Sequence, residues 1–510
     1  MRLTSLPSDR SRRTRRTLPR VSPRTNRGGR LLWSALLAGA LALPLHGDSP
    51  FEGTWTGQVT APQGATELVL QVTPAANGRF DVKVQMPRMH TYGFTFPGAG
   101  EVVDGELIFA PLATRLRPYG TTLAGTFGLG QLRVALRRGG EFTPEPPSPD
   151  HPAAPAPLWT RDLGSLTWAS PVTADGVVYV GTRDGKFHAV RAADGTPLWT
   201  WTGPNRIDGR AVVAGDQVLF VDGANELVCL ARADGALRWR CALYDPAQAE
   251  GKPLPENPTF NRRVAVPLAV GDTVYCGSAD GGLYALDAGT GAKRWRHPAG
   301  AAVFSPIAPF DDATLAFGTM DGSVVLLDRR AVKETARMKT GGGVVTRPLL
   351  VGDRIIVGSR DYMLYGFDRA SGQPAWKFSY WFSWVESTPQ LRDGLIYVGA
   401  SDYRRVTAFD PATGREQWGT DVGGMCWGWP AVSDDSVFIG TVAQNLPGTV
   451  IRHTGGLVAL DRRTGAVRWR FLSPTPPQNS FGGFAGSLAL DGDRVIGAGF
   501  DGKLMAFPAR

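Results

Sequence analysis

This sequence has few of the residues that usually carry catalysis or metal binding. It contains four cysteines and six histidines in 510 residues, and neither set has the spacing of metal ligands. No His-Glu-x-x-His, Gly-x-Ser-x-Gly or phosphate-loop motif occurs. The sequence therefore gives no support to the common hydrolase, metalloprotease or nucleotide-binding chemistries.

The chain also lacks excess charge once its first residues are set aside. The formal net charge is +9, with 55 basic and 46 acidic residues. Residues 1–30 alone hold ten Arg and one Asp, which leaves 45 basic and 45 acidic residues in 31–510. Nucleic-acid binding needs Lys and Arg concentrated on a folded surface. No nucleic-acid partner is predicted.

Residues 1–47 have the pattern of an export signal. The arginine-rich start is followed by the apolar run Leu31–Leu45, which is short for a membrane span, and by an Ala40-x-Ala42 cleavage pattern. These features predict an exported protein, periplasmic or extracellular. The alternative is an uncleaved N-terminal membrane anchor, which would be the only contact with a membrane.

One eleven-residue pattern, Ala-x-Asp-x-x-Thr-Gly-x-x-x-Trp, recurs through the last two-thirds of the chain. It is complete at 285–295, 408–418 and 459–469, and weaker at 189–199, 229–239 and 366–376. A second block precedes each copy and reads as two strands joined by an Asp-Gly hairpin turn. With a leading strand, usually opened by proline, each unit has four antiparallel strands, which is a propeller blade.

Eight such blades can be counted, and two of them depart from the pattern. The fourth carries Ala336 where the repeat has Trp, and the eighth lacks a last strand after Phe507. Trp159 lies on a strand with no blade ahead of it, so we expect it to complete the eighth blade and close the ring. Insertions are predicted near 245–261 and 443–454.

The repeated tryptophans are predicted to pack between blades, because they occupy the same blade position. This structural docking set is Trp159, Trp199, Trp239, Trp295, Trp376, Trp418 and Trp469. Cys229 takes the Ala position of the repeat and Cys276 a strand position held elsewhere by Val, so the cysteines are read as small buried side chains. Because exported proteins can form disulfides, a disulfide between Cys229 and Cys241 is the alternative.

Residues 48–142 lack the Trp repeat and alternate apolar and polar residues over short strands, which predicts a small antiparallel β meander or barrel. The proline-rich residues 143–156 read as a stiff linker, and residues 157–510 form the propeller. The predicted fold class is therefore all-β: an eight-bladed β-propeller closed by its N-terminal strand and preceded by a small β domain.

The docking pattern resembles the tryptophan-docking repeat of the PQQ-like superfamily over about 350 residues, from Pro157 to Arg510. In that superfamily, quinoprotein alcohol dehydrogenases bind pyrroloquinoline quinone (PQQ) and calcium, whereas BamB-like proteins use the propeller as a scaffold in outer-membrane protein assembly. The chain departs from the dehydrogenases, because no two cysteines are adjacent and the long insertions are missing. The resemblance thus implies an exported, non-enzymatic scaffold or binding protein without cofactor or metal. A PQQ-dependent oxidoreductase and a carbohydrate-binding propeller are the alternatives.

The predicted ligand site lies at the mouth of the central funnel of the propeller. It consists of residues that depart from the repeat just before each inner strand. They place arginines opposite aromatic residues, which could hold an anionic or aromatic ligand; the alternative is that they plug the channel structurally. The set is Trp168, Arg210, Arg263, Phe304, Arg347, Glu386, Trp427 and Trp429. A second cluster exceeds what blade packing needs and is predicted to be an exposed partner surface. It consists of Tyr380, Trp381, Phe382 and Trp384.

Overall fold

The computed structural model describes residues 49–61, 64–127, 132–146, 150–244, 264–445 and 453–509. The predicted export signal, Arg263 and most of the two predicted insertions lie outside these ranges. Among the described residues, no helix is long and apolar enough to cross a membrane. Apart from three single-turn 3₁₀ helices, at Ala76–Gly78, Pro87–Met89 and Ala110–Leu112, the regular structure is all β.

The first eight strands form a closed antiparallel barrel in which β1 pairs with both β2 and β8. The strands are β1 (Gly53–Ala61), β2 (Gly64–Pro74), β3 (Phe80–Met86), β4 (Thr91–Val103), β5 (Glu106–Phe109), β6 (Thr114–Tyr119), β7 (Thr122–Phe127) and β8 (Leu132–Arg138). Alternate residues point inward, so that Trp55, Leu116 and Leu136 are fully buried. Of the two predicted forms, meander or barrel, the barrel is confirmed.

A single strand, β9 (Trp159–Asp162), precedes six consecutive four-stranded blades. Blades one to three are β10 (Val172–Ala174), β11 (Val177–Gly181), β12 (Lys186–Arg191), β13 (Pro197–Thr202); β14 (Val212–Ala214), β15 (Gln217–Val221), β16 (Glu226–Ala231), β17 (Leu237–Ala242); and β18 (Leu268–Val270), β19 (Thr273–Gly277), β20 (Gly282–Asp287), β21 (Lys293–Pro298).

Blades four to six follow the same order. They are β22 (Ala308–Pro309), β23 (Thr314–Gly318), β24 (Ser323–Asp328), β25 (Lys333–Lys339); β26 (Leu349–Val351), β27 (Arg354–Gly358), β28 (Met363–Asp368), β29 (Pro374–Ser379); and β30 (Gln390–Arg392), β31 (Leu395–Gly399), β32 (Arg405–Phe409), β33 (Glu416–Asp421).

The seventh blade carries an extra strand, and the eighth is completed from the other end of the ring. The strands are β34 (Ala431–Val432), β35 (Ser436–Asn445), β36 (Gly456–Asp461), β37 (Val467–Leu472), β38 (Ser480–Gly483), β39 (Ala489–Asp491), β40 (Arg494–Ala498) and β41 (Lys503–Pro508). β38 pairs with β35, and β9 pairs with β41 with Trp159 opposite Ala506. The eight-bladed ring and its closure by the N-terminal strand are confirmed.

The docking tryptophans explain why the eleven-residue pattern needs its Ala, Gly and Trp. Within a blade, the Ala faces the Trp across the strand pair, as at Ala408 and Trp418. The ring then lies on the turn glycine of the next blade: a Cβ at Gly465 would stand 2.5 Å from the Trp418 ring. The indole Nε1 of Trp418 donates to the carbonyl of Arg462 in that blade at 3.0 Å. Each repeat thus packs through its neighbour.

Blade four departs from the pattern at three positions. Leu326 stands at the Ala position of the repeat and Ala336 at the Trp position, and the two are paired across the strands. The larger side chain is therefore on the other strand of the pair. Beside the missing ring, a Cβ at Gly372, the turn glycine of the next blade, would stand 3.5 Å from Cγ of Met338. The fourth blade's own turn has Val332 at φ +53°, where the other blades have glycine. A β-branched residue is strained in this left-handed conformation.

The segment predicted as a linker also takes part in the propeller. Ala153 forms a parallel bridge with Arg470 of β37, whose amide donates to the carbonyl of Pro152 at 2.8 Å. The segment therefore adds to the outer edge of blade seven as well as spanning the barrel and the ring. All four cysteines are free. The alternative disulfide does not form, since the strand register places Cys229 opposite Trp239 and Cys241 opposite Leu227.

Candidate functional site

A cavity of about 470 Å³ lies where the segments before the inner strands of all eight blades converge. Six of the eight predicted mouth residues line it: Trp168, Arg210, Phe304, Glu386, Trp427 and Trp429. Arg347 does not line the cavity but contacts Trp429, and Arg263 lies outside the described residues. The volume falls within the range of small-ligand sites, roughly 300–1,000 Å³.

Aromatic side chains form one wall of this cavity. Trp168 stacks on Trp427 with ring centroids 5.6 Å apart and an interplanar angle of 13°. Phe481 and Phe500 pack edge-on against Trp168. The Nε1 of Trp427 donates to the hydroxyl of Ser401 at 2.9 Å, which fixes the ring. Such a fixed wall offers an apolar surface for stacking.

Two carboxylates at the cavity are matched by arginines. Arg360 binds the Oε1 of Glu386 through Nε at 2.8 Å and Nη2 at 2.7 Å. Asp208, which is almost fully buried, accepts from Arg206 Nε at 2.9 Å and lies 3.5 Å from Arg183 Nε. Buried charges are tolerated when they are paired in this way. These side chains hold the ring of blades together rather than standing ready for proton transfer.

Two arginines from other blades lie near the ring of Trp429. The guanidinium carbon of Arg210, in blade two, lies 5.1 Å from the ring centroid, and that of Arg347, in blade five, lies at 5.7 Å. The amide of Trp429 donates to the hydroxyl of Ser487 at 2.8 Å. All three residues stand two positions before an inner strand, so the repeat brings them to the same level of the ring.

Sequence reasoning missed Asp402, which also lines the cavity. Burial raises its pKa to about 6, and the charge of Glu386 acts in the same direction. In the sequence, Asp402 takes the place of the Asp of the Asp-Gly hairpin turn. Five residues separate Gly399 from Arg405, whereas four separate Gly358 from Met363 in blade five. This extra residue was the available signal that the turn differs.

The aromatic cluster predicted to be an exposed partner surface is not exposed. Tyr380 and Trp381 are 0% and 3% exposed. The ring of Tyr380 packs against Phe378 and Phe409 of the propeller. Phe382 makes an edge-on contact with Phe127 of the barrel at 4.6 Å. Arg88, also from the barrel, lies over Trp381 at 5.5 Å. Trp384 instead lines the cavity with Phe382.

Nowhere in the described ranges do three or more His, Cys, Asp or Glu side chains converge as possible metal ligands. Of the cysteines, only Cys426 follows a cavity-lining residue, Met425, and it has no cysteine neighbour in sequence.

Comparison with known proteins gives one family. The sequence profile described as outer membrane protein assembly factor BamB matches residues 152–297, 201–336 and 320–510. The outer membrane protein assembly factor BamB of Shewanella oneidensis is 25% identical over 252 residues, which are 47% of this chain and 60% of that protein. The Burkholderia pseudomallei protein of the same name is 25% identical over 282 residues, 52% of this chain and 68% of its own.

Solved structures extend the likeness of fold. A europium-containing methanol dehydrogenase is 13% identical, with a TM-score of 0.53, and the match covers 69% of this chain and 93% of that chain. At this identity the likeness concerns the propeller fold alone, because one fold hosts many functions.

Proposed function

Since this chain belongs to the outer membrane protein assembly factor BamB family, we propose that it is an exported, non-enzymatic propeller that binds a protein partner during outer-membrane protein assembly. The family match runs from residue 152 to residue 510 and so includes the whole ring of blades. The names of the two relatives refer to assembly of outer membrane proteins. The proposal carries that role to this chain.

The observation that supports a scaffold over an enzyme is the pairing of charged groups around the cavity. Glu386 is bound by Arg360 and Asp208 by Arg206, so each carboxylate neutralises a cation in the ring. A general base or nucleophile needs an electron pair that is available to substrate, whereas a general acid needs an available proton. Asp402 is the exception among the cavity carboxylates of the described residues, since its pKa is raised to about 6, but no His, Lys or Cys within the described ranges lines the cavity beside it.

Export is supported by the sequence of residues 1–47, which lie outside the described ranges. The arginine-rich start, the apolar run and the Ala40-x-Ala42 pattern together favour secretion. Expression of the full chain in its own host, followed by fractionation and N-terminal sequencing of the mature protein, tests this part. Recovery of an intact N-terminus in the cytoplasm would contradict it.

The assembly role is tested by deleting the gene in its host and measuring the amounts of folded β-barrel proteins in the outer membrane. We expect those amounts to fall and to recover when the wild-type gene is restored. A copy lacking residues 1–47 serves as the matched control, and it should not restore them. Unchanged outer-membrane proteins in the deletion strain would contradict the role.

Absence of enzymatic activity is tested separately on the purified protein with PQQ and calcium. We expect neither tight quinone binding nor dye-linked oxidation of alcohols. Either result, if observed, would favour the oxidoreductase alternative. The carbohydrate-binding alternative stays a prediction, which a glycan array and melting temperatures in sugars can test.

A further inference from the structure

Arg210 and Arg347 differ from the other arginines around the cavity, because no carboxylate pairs with them in the part of the chain that the structure describes. Arg360 and Arg206 each bind an acidic side chain. Arg210 has one hydrogen bond, a long one of 3.4 Å from Nη1 to the carbonyl of Pro171. The side chain of Arg347 contacts the Trp429 ring.

These two cations are held in a setting that is costly for an unpaired charge. Burial lowers the pKa of Arg210 to about 10, with a further contribution from the charge of Arg347, and burial also lowers the pKa of Arg347. Each guanidinium carries five N–H donors, of which few are used here. Donors left without a protein partner at a partly buried site are available to a matching anion.

The rest of the cavity limits which anion fits. Trp168 and Trp427 supply a stacked aromatic wall, and Val264, Phe304 and Val345 add apolar surface. Glu386 and Asp402 line the same cavity, so a ligand with several negative charges would be repelled. A single planar oxyanion matches the bidentate geometry of arginine.

We infer that Arg210, which lines the cavity beside Trp429, forms with the nearby charge of Arg347 a binding site for the carboxylate of a small organic acid whose apolar body lies against Trp168 and Trp427. This site goes beyond the proposed scaffold role and does not depend on it. It makes the cavity a ligand site in addition to the centre of the ring.

Benzoate is the probe for this site, and benzamide is its uncharged match of the same shape. Titration at pH 7.5 and constant ionic strength is followed by calorimetry and by tryptophan fluorescence. We expect saturable binding of benzoate with a raised melting temperature, and binding of benzamide at least tenfold weaker. Inorganic phosphate, which lacks an apolar body, should also bind at least tenfold more weakly than benzoate.

Three variants locate the binding. Arg210→Gln and Arg347→Gln should each weaken benzoate binding at least tenfold, while Arg330→Gln, an exposed arginine in blade four, should leave it unchanged. Circular dichroism checks folding, and if one variant does not fold the other decides. Equal affinity for benzoate and benzamide would overturn the inference. So would unchanged binding in the folded variants, stronger binding of phosphate, or no saturable binding of benzoate. None of these outcomes bears on the outer-membrane assay.

Discussion

Arg404 of the propeller donates a 2.9 Å hydrogen bond to Nδ1 of His90 in the barrel. Nδ1 must be unprotonated to accept it, so His90 carries its proton on Nε2, which lies 3.5 Å from Oδ2 of Asp421. Arg404 also donates to this Asp421 oxygen at 2.6 Å. If Nδ1 were protonated, its N–H and the N–H of Arg404 would point at each other and the hydrogen bond would be lost. The contact between barrel and propeller therefore depends on a neutral imidazole.

Stability should therefore fall in mild acid. Burial lowers the pKa of His90 to about 4 from 6.5, so between these values the unfolded chain binds more protons than the folded one. The stabilising effect is present above pH 6.5 and is lost as the pH falls toward 4, by at most about 1.4 kcal/mol per pH unit. His90→Gln should flatten denaturant-unfolding stability over pH 4–6.5 and change it little at pH 7.5. An unchanged pH slope would contradict this.

The apolar part of the contact between barrel and propeller should contribute more to the free energy of unfolding than the polar part. Trp381 is 3% exposed, and removing a buried Trp typically costs about 3–5 kcal/mol. We expect Trp381→Ala to lower the melting temperature clearly. Tyr119→Ala, at a barrel residue that is 62% exposed, is the control and should change stability by less than about 0.5 kcal/mol. Equal melting of both variants would argue against a packed interface.

Two docking tryptophans should respond differently to loss of their indole N–H. Trp418 donates to the carbonyl of Arg462 at 3.0 Å, whereas the buried Nε1 of Trp469 has no partner in the described structure. The next blade after Trp469 is the one completed by β9, so the usual docking turn is absent there. Trp418→Phe should cost about 1–3 kcal/mol more than Trp469→Phe, as measured by chemical unfolding. A larger loss for Trp469→Phe would contradict this account of docking.

The strained turn of blade four should be improved by the residue that its neighbours use. Val332 has a φ of +53° where Gly414 and Gly465 have +69° and +74°. Val332→Gly should raise the free energy of unfolding by about 1 kcal/mol, because left-handed backbone costs an L side chain roughly 1–2 kcal/mol. Val467→Gly, in a regular strand of blade seven, should destabilise instead. A loss of stability in Val332→Gly would show that the turn is not strained.

Ring closure makes a further prediction. Thr160 pairs with Met505 and Arg161 with Leu504 across the β9–β41 contact. Deleting residues 155–165 should expose the edge of β41 and sharply lower the melting temperature. The control is Thr160→Ser, which keeps the strand. A deletion of residues 233–235 in an exposed hairpin would not serve, because that hairpin lies against the ring of Trp199. If the deletion melts as the wild type does, closure is not what holds the eighth blade.

The ring could be predicted from the sequence because each repeat contains the residues of the same packing contact between blades. Ala408, Trp418 and Gly465 are each needed by one contact, and the pattern repeats that contact around the ring. The cluster at Tyr380 was misread for the opposite reason: its partner is the barrel, which lies far away in sequence and follows no repeat. Likewise, single-sequence reading placed Arg210 and Trp429 at the mouth, yet only the folded ring shows that Arg347 meets the same indole.

Closure by β9 has a consequence for how the chain is made. About 340 residues separate β9 from its partner β41, and at roughly 5–20 residues per second synthesis of that stretch takes on the order of half a minute. The barrel strands have all emerged by then, while β9 still waits for the last strand to leave the ribosome. The blades can stack in order as they appear, but the circle is sealed only when β41 has emerged and paired with β9. An unsealed ring would thus be the normal state of every growing chain.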